Sequence, residues 1–303
     1  MNHNIGKSIV KNKNKFKISK LFTHFILIGF GLLCIIPLLS IISISISNEA
    51  NLVDFGYKLI PQAIDFTGYI YILNDSVSLF NAYKITLMTT VFGTVFSLFI
   101  SAGVAYVISR RDYKYKNILS FFIFFTMLFN GGLIPWYMLI KNYLGLGDTL
   151  LALILPYAVS VWNVLLLKTF FQKLPYEVIE SCYIDGANEF KIFFSMVIPL
   201  SLPGLATVAL FISLTYWNDY WLGLLFIEKQ TLVPLQLLLY NLMSNIEYLK
   251  THGSMPGNIK LADIPFQSAR MAMALLAAGP MLFVFPFFQK YFVKGLTVGS
   301  IKG

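Results

Sequence analysis

The apolar positions of this chain fall in long continuous runs. Six stretches are long and uncharged enough to cross about 30 Å of hydrocarbon: Leu21–Ser47, Ile85–Ile108, Ile118–Ile140, Thr149–Leu167, Pro199–Ile227 and Met271–Gln289. All but the fifth lack Asp, Glu, Lys and Arg, and the fifth holds only Asp219. No stretch alternates with the period of two, over about ten residues, that an outer-membrane strand shows. The pattern predicts an all-α integral membrane protein with six transmembrane helices. It divides the chain into a basic tail (1–20), a first span (21–47), an external segment (48–84), a five-span core (85–292) with a polar loop at 172–199, and a C-terminal tail (293–303).

Composition agrees. Hydrophobic residues make up 57% and charged residues 12% of the chain, with a mean hydropathy of +0.71. A soluble domain carries roughly 25% charged residues. A Lys-rich head before an apolar run also describes a signal peptide. The first run, however, is 27 residues long, beyond the roughly 7–15 of a signal core, and no A-x-A-like site follows it. It is expected to be retained as a span.

Charge sets the expected orientation. Of the 23 basic residues, 16 lie on one side: six lysines of the N-terminal tail, Arg110, Arg111, Lys114 and Lys116 after the second run, Lys168, Lys173 and Lys191 after the fourth, and Lys290, Lys294 and Lys302 after the sixth. Both termini and the segment 168–198 are therefore expected to be cytoplasmic. Basic flanks account for the net charge of +9 without a nucleic-acid partner.

Candidate chemistry is sparse. His3, His24 and His252 are far apart and lack metal-ligand spacing. Cys34 lies in the first run and Cys182 in the polar loop, so the topology keeps them from pairing. Gly6-Lys7-Ser8 imitates the end of a phosphate-binding loop, but the position five residues before Gly6, where that loop needs its first glycine, is Met1. No metal, bound cofactor or catalytic residue is expected.

The polar loop interrupts this apolar chain. Pro175 suits the first turn of a helix, Tyr176–Ile184 is helix-compatible, and Asp185-Gly186 stops it with glycine as the natural left-handed residue. Asn188 is a candidate N-cap for a second helix. In that helix Phe190, Phe193, Phe194 and Val197 form one stripe suited to the membrane surface. Ile198-Pro199 then feeds the fifth run. Such a helix–turn–helix suits a knob that enters a partner, and by physics alone equally suits an amphipathic connector.

Glu180-Ser181-Cys182, Gly186 and Met196-x-Ile198-Pro199 resemble the EAA loop of binding-protein-dependent ABC importer permeases, with Ser-Cys in place of Ala-Ala. Gly131-Gly-Leu-Ile-Pro135, Trp217-Asn-Asp-Tyr220 and the tail Gly295–Gly303 are similar to the carbohydrate-uptake branch of that family, including maltose-type second permeases, from about residue 20 onward. The resemblance implies the type I ABC importer permease fold. It also implies partnership with a second homologous permease, two ATP-binding subunits that use ATP and Mg, and an extracellular solute-binding protein delivering a carbohydrate. It implies that Tyr176–Ile184 is a coupling helix seated on the ATPase. Glu180 would meet a basic residue there, Ser181, Cys182 and Ala187 would meet the size requirement, and Asp185, Gly186 and Pro199 would set the bends. The tail, with Gly295, Gly299 and Lys302, either reaches the ATPase subunits, as the resemblance implies, or is a frayed basic end.

Trp217, Asn218, Asp219, Tyr220 and Trp221 combine aromatic faces with an amide and the only acid inside a run. They suit either a sugar path or an interfacial aromatic belt. Ser97, Ser101 and Ala105 form a small-residue face for close helix packing. Pro135, Pro156, Pro203, Pro280 and Pro286 interrupt runs. Leu232–Leu249 is expected as an amphipathic helix on the outer face, and 253–265 as irregular. The rival from another class is an ion-coupled secondary transporter, but such proteins show paired intramembrane ionisable groups and internal repeats, and neither is visible here.

Overall fold

In a computed structural model of the chain, the residues described are 3–74, 76–252 and 265–297. They are helical, with one isolated strand bridge, Ser47 to Ile64, among them. The helices are α1 (His3–Ser45), α2 (Glu49–Phe55), α3 (Thr67–Leu73), α4 (Ser76–Ser109), α5 (Lys116–Leu128), α6 (Leu133–Met138), α7 (Leu150–Ile154), α8 (Val161–Phe171), α9 (Tyr176–Ile184), α10 (Glu189–Ile192), α11 (Ile198–Leu200), α12 (Leu202–Trp217), α13 (Trp221–Phe226), α14 (Leu235–His252) and α15 (Phe266–Thr297).

Three helical segments, Phe22–Ser45, Ser76–Ser109 and Phe266–Gln289, are each long and apolar enough to cross a membrane. Three bent pairs raise the number to six when each is counted as one span: 116–128 with 133–143, 150–157 with 161–171, and 189–200 with 202–217, bent by 108°, 53° and 82°. The prolines explain part of this. Pro156 sits in the 3₁₀ turn between α7 and α8, and Pro203 in the first turn of α12, both at bends. Pro135 lies within α6, just past the sharpest break, while Pro280 and Pro286 lie inside the continuous α15. The fifth apolar run, expected as one span from Pro199 to Ile227, is not one helix. It begins in a bend, and α12 stops at Trp217 before the separate short α13.

The chain forms two compact units, one of 1–74 with 255–276 and one of 75–254 with 277–303. In the first, the end of α1 is tied down by serines: Ser43 Oγ donates to the Lys58 carbonyl at 2.7 Å, and Ser45 Oγ shares a hydrogen bond with the Tyr69 hydroxyl at 3.0 Å. Just before α3, Asp65 accepts from the Thr67 hydroxyl at 2.5 Å and from the Thr67 amide at 2.9 Å, and these bonds hold its carboxyl below the usual carboxylate range. Glu49 accepts from the amides of Gln267 (2.9 Å) and Ser268 (3.1 Å), so a carboxylate from α2 satisfies the first turn of α15. Gly68 lies so close to α15 that an added Cβ would sit 2.8 Å from the Ala269 nitrogen.

The second unit is organised on α4. Its 34 residues span about 51 Å at 1.5 Å per residue, beginning nine residues before the apolar run that predicted it. Gly93, Ser97, Ser101 and Ala105 recur every four residues, and the last three are wholly buried. That stripe lets α12 approach closely, with the Tyr216 ring only 2.7 Å from where a Gly93 Cβ would stand. Two apolar clusters occupy the two ends of α4. One joins Ile85 to Ile140, Leu153, Leu222, Phe226 and Leu237. The other joins Ala102, Ala105 and Ile108 to Val164 and Leu167 of α8, Ile179 and Cys182 of α9, and Leu205, Val208 and Ile212 of α12.

The expected amphipathic helix is α14, which starts at Leu235 and buries Leu235, Leu237 and Leu239. Nearby, the Asp148 carboxylate accepts from the amides of Glu228 (2.7 Å) and Lys229 (2.9 Å), which lowers its pKa. Most of the segment expected to be irregular, 253–264, lies outside the described residues.

A Gly93→Ala substitution should therefore lower the melting temperature of the protein in detergent, because overpacking a tight contact costs about 1–3 kcal/mol. Gly103→Ala on the same helix, where an added Cβ meets nothing within 4 Å, should hold or slightly raise it, since alanine is the better helix former. Differential scanning fluorimetry of the two variants checks the contrast.

Candidate functional site

The site is the loop from α8 to α12, with α9 at its centre. Pro175 is the N-cap of α9, with φ −59° and ψ 127°, one position before the helical site expected for it. On α9, residues three apart face inward. Ile179 and Cys182 are buried in the cluster shared with α4, α8 and α12, whereas Glu180, Ser181 and Asp185 are exposed and Ile184 is 87% exposed. Glu180 enters no ion pair among the described residues. The helix therefore offers a polar and apolar outer face while its inner face belongs to the core of the unit.

The turn after α9 is a Schellman motif. The Gly186 amide donates to the Tyr183 carbonyl at 3.0 Å, and the Ala187 amide donates to the Cys182 carbonyl at 2.9 Å. Gly186 has φ +74°, a left-handed conformation that favours glycine. Asn188 is the N-cap of α10, as its side chain predicted, with Oδ1 accepting from the Lys191 amide at 2.9 Å. Beyond α10 the expected phenylalanine stripe divides. Phe193–Val197 forms a π-helical turn, whose wider period rotates the faces. Phe193 and Val197 are buried, while Phe190 and Phe194 stay exposed. Pro199 follows within α11 and is exposed.

A polar cluster anchors this loop to the end of α4. Glu189 accepts from the hydroxyls of Tyr106 and Tyr183, and its carboxylate lies 3.7 Å from Arg110 Nη2. Arg110 is only 6% exposed; Nη2 donates to Asp112 at 2.9 Å and to the Tyr183 hydroxyl at 2.6 Å. The rings of Tyr106, Tyr176 and Tyr183 surround the guanidinium with centroids 5.4–5.9 Å away. Burial, then the Glu189 contact, pushes the Tyr183 phenol up to about 12. Tyr106, Arg110, Tyr183 and Glu189 were not singled out by sequence reasoning, in which Arg110 served only as a topology charge. The available signals were an Arg-Arg pair closing an apolar helix and an acid directly after the Asn188 cap.

The aromatic segment of the fifth run does not converge on one point. Trp217 is buried, and its Nε1 donates to the Ala277 carbonyl at 2.9 Å. Asn218 Nδ2 donates to the Leu214 carbonyl at 2.9 Å. Asp219 accepts from the Tyr157 hydroxyl at 3.0 Å and from the Leu222 amide at 3.1 Å, which caps α13. Tyr220 stacks on Tyr240 with centroids 5.2 Å apart, and Trp221 is 40% exposed. Gly295 falls within α15, whereas Gly299 and Lys302 lie outside the described residues. No group of three or more His, Cys, Asp or Glu able to hold a metal occurs among the described residues.

A membrane-spanning helical unit with a helix–turn–helix loop packed into its core is the architecture of an importer permease. The chain belongs to the family described as binding-protein-dependent transport system inner membrane component, whose pattern matches residues 100–298. It is the permease component of an ABC importer, a multi-pass plasma membrane protein, with ATP hydrolysis carried by separate subunits. The chain is 37% identical to the polygalacturonan/rhamnogalacturonan transport system permease protein YtcP of Bacillus subtilis (strain 168), over 95% of this chain and 100% of that one. It is 38% identical to Protein LplC of the same organism, over 91% and 92%. Among solved structures it matches a bacterial ABC transporter involved in the import of the acidic polysaccharide alginate, with a TM-score of 0.75 and 29% identity, covering 91% of this chain and 97% of that one.

Replacing Glu189 with Gln should weaken charge-assisted bonds worth about 1.5 kcal/mol or more and raise amide exchange across 176–192 roughly tenfold, with the spans unaffected; hydrogen-exchange mass spectrometry checks this. Because the Tyr183 pKa is raised from 10 to about 12 on folding, its contribution is complete below pH 10 and is lost as pH rises toward 12. The fall in melting temperature over that interval should be smaller in Tyr183→Phe.

Proposed function

We propose that this chain is one of two homologous permease subunits of an ATP-driven importer, and that its cargo is a carbohydrate. That cargo would be an oligosaccharide or polysaccharide fragment delivered by an external solute-binding protein. The names of its relatives and of its structural neighbour support this reading, since they concern polygalacturonan/rhamnogalacturonan and alginate. Both termini and the loop 172–199 face the cytoplasm, in keeping with the distribution of basic residues. The partner ATP-binding subunits bind ATP and Mg, and this chain binds no cofactor.

Within that assembly α9 is the coupling helix, and one observation carries its role: Ile179 and Cys182 are buried in the same cluster as α4, α8 and α12. A push on the outer face of α9 therefore moves a packed core, which has low compressibility and passes displacement on. Glu180 and Ile184 supply the outer face, Glu180 through a charge-assisted contact worth about 1.5–3 kcal/mol. Gly186 sets the turn at the end of the helix. Asp219, Tyr220 and Trp221 stand on the sugar path, and the tail 295–303 contacts the ATPase subunits.

Affinity purification of the tagged protein from native membranes should recover a second permease and an ATPase. Glu180→Ala and Gly186→Asp should each insert normally, abolish sugar uptake and lose the ATPase from the purified complex. Unchanged uptake in both variants would contradict the coupling role, and recovery of a protein that transports in liposomes without ATP would contradict the importer.

A further inference from the structure

One cavity in the larger unit is built for an anion. It measures about 280 Å³ and lies between the end of α4, the start of α5, the last turn of α8 and the first half of α9. Arg110, Arg111, Lys116 and Lys168 line it, and no carboxylate does. Asp112 and Glu189 both sit on the Nη2 side of Arg110. The other terminal nitrogen, Nη1, is buried and has no hydrogen-bond partner among the described residues. Arg110 is 6% exposed, so its charge stands behind the cavity wall where little water screens it, and it favours an anion in the cavity.

Among the described residues the other cations have only neutral partners. Lys168 Nζ donates to Ser120 Oγ at 3.0 Å, Lys116 Nζ to the Arg111 carbonyl at 2.8 Å, and Arg111 lies 5.6 Å from the Tyr176 ring centroid. Two arginines and two lysines on one cavity offer more donors than a single carboxylate can accept, which suits a tetrahedral phosphate.

The place in the fold points to the source of that phosphate. The cavity lies where membrane-crossing helices become polar: α4 closes at Ser109 and α5 opens at Lys116. From Ile118 onward α5 buries no residue, and Phe121, Phe122 and Phe125 are exposed on it. Basic pockets between membrane helices at their cytoplasmic ends suit lipid headgroups.

We infer that this cavity is a headgroup site for an anionic phospholipid. The phosphate accepts from Arg111, Lys116 and Lys168, with the buried charge of Arg110 behind them, and the acyl chains run along the exposed aromatic face of α5. The site adjoins Tyr176 and Ile179 of α9, so its occupant would brace the loop from below.

The test is native mass spectrometry of the full-length protein, stripped of lipid in detergent and titrated with phosphatidylglycerol or phosphatidylcholine. Phosphatidylglycerol should bind in preference, and Arg111→Gln/Lys168→Gln should weaken it about tenfold or more for the two cations removed. The melting temperature of lipid-free protein should be unchanged in that variant, and the single variant Lys116→Gln gives an independent reading should the double variant misfold. Equal binding of the two lipids, or an unaltered preference in the variants, overturns the proposal. Two further arms separate other anions. Thermal protection by inorganic phosphate without any lipid preference would assign the site to a free anion and overturn the lipid. Loss of bound phosphatidylglycerol when the ATPase subunits assemble would assign it to an acidic side chain of a partner and also overturn it.

Discussion

The close approach of α4 to α12 is the constraint on which the larger unit depends. In lipid, apolar side chains gain little by leaving the solvent, so helices associate through tight packing and interhelical polar contacts. Gly93, Ser97, Ser101 and Ala105 give α4 a face with almost nothing projecting from it, and Tyr216 fills the space above Gly93. The same ring donates its hydroxyl to the Ile154 carbonyl at 2.8 Å, at the end of α7 next to the bend at Pro156. One tight contact thus positions three helices, and it also supplies an acceptor's partner at the kink, as membrane interiors demand.

Everything that makes the loop useful follows from that frame. Because α4 is a single long helix, its polar end holds Arg110 at the level of α9 and α10, while its small face stays locked against α12. Arg110 and Glu189 then fix the loop from one side, and Ile179 and Cys182 fix it through the core. The loop is anchored twice but presents Glu180 and Ile184 outward, so it can receive a push without being free to absorb it. The Schellman turn at Gly186 lets the chain reverse without leaving helix carbonyls unsatisfied.

Much of this was legible in the sequence, for identifiable reasons. Uncharged runs mark membrane helices because hydrocarbon tolerates little else, and Gly186 and Asn188 have few other uses than the turn and cap found for them. The start of α4 at Ser76 was missed because Ser76–Lys84 is mixed in polarity, with serines, an asparagine and a lysine interrupting its apolar positions. The bends were half visible: Pro156 and Pro203 break their spans, yet Pro280 and Pro286 sit in an unbroken helix, so proline alone does not decide. The π-helical turn at Phe193–Val197 defeated the stripe reading because an assumed 3.6-residue period fails there. The Arg110–Glu189 pair and the Glu49 cap on α15 are long-range side-chain matches, which a single sequence does not encode as a pattern.

The central claim is that the exposed face of α9 touches the ATPase and relays its motion inward. The most direct measurement places a photocross-linking amino acid at Ile184 of the intact importer in membranes and irradiates it with and without ATP. An adduct with the ATP-binding subunit, whose yield changes with nucleotide, is the expected result. Adducts with lipid alone, or with the partner permease but never the ATPase, would contradict it.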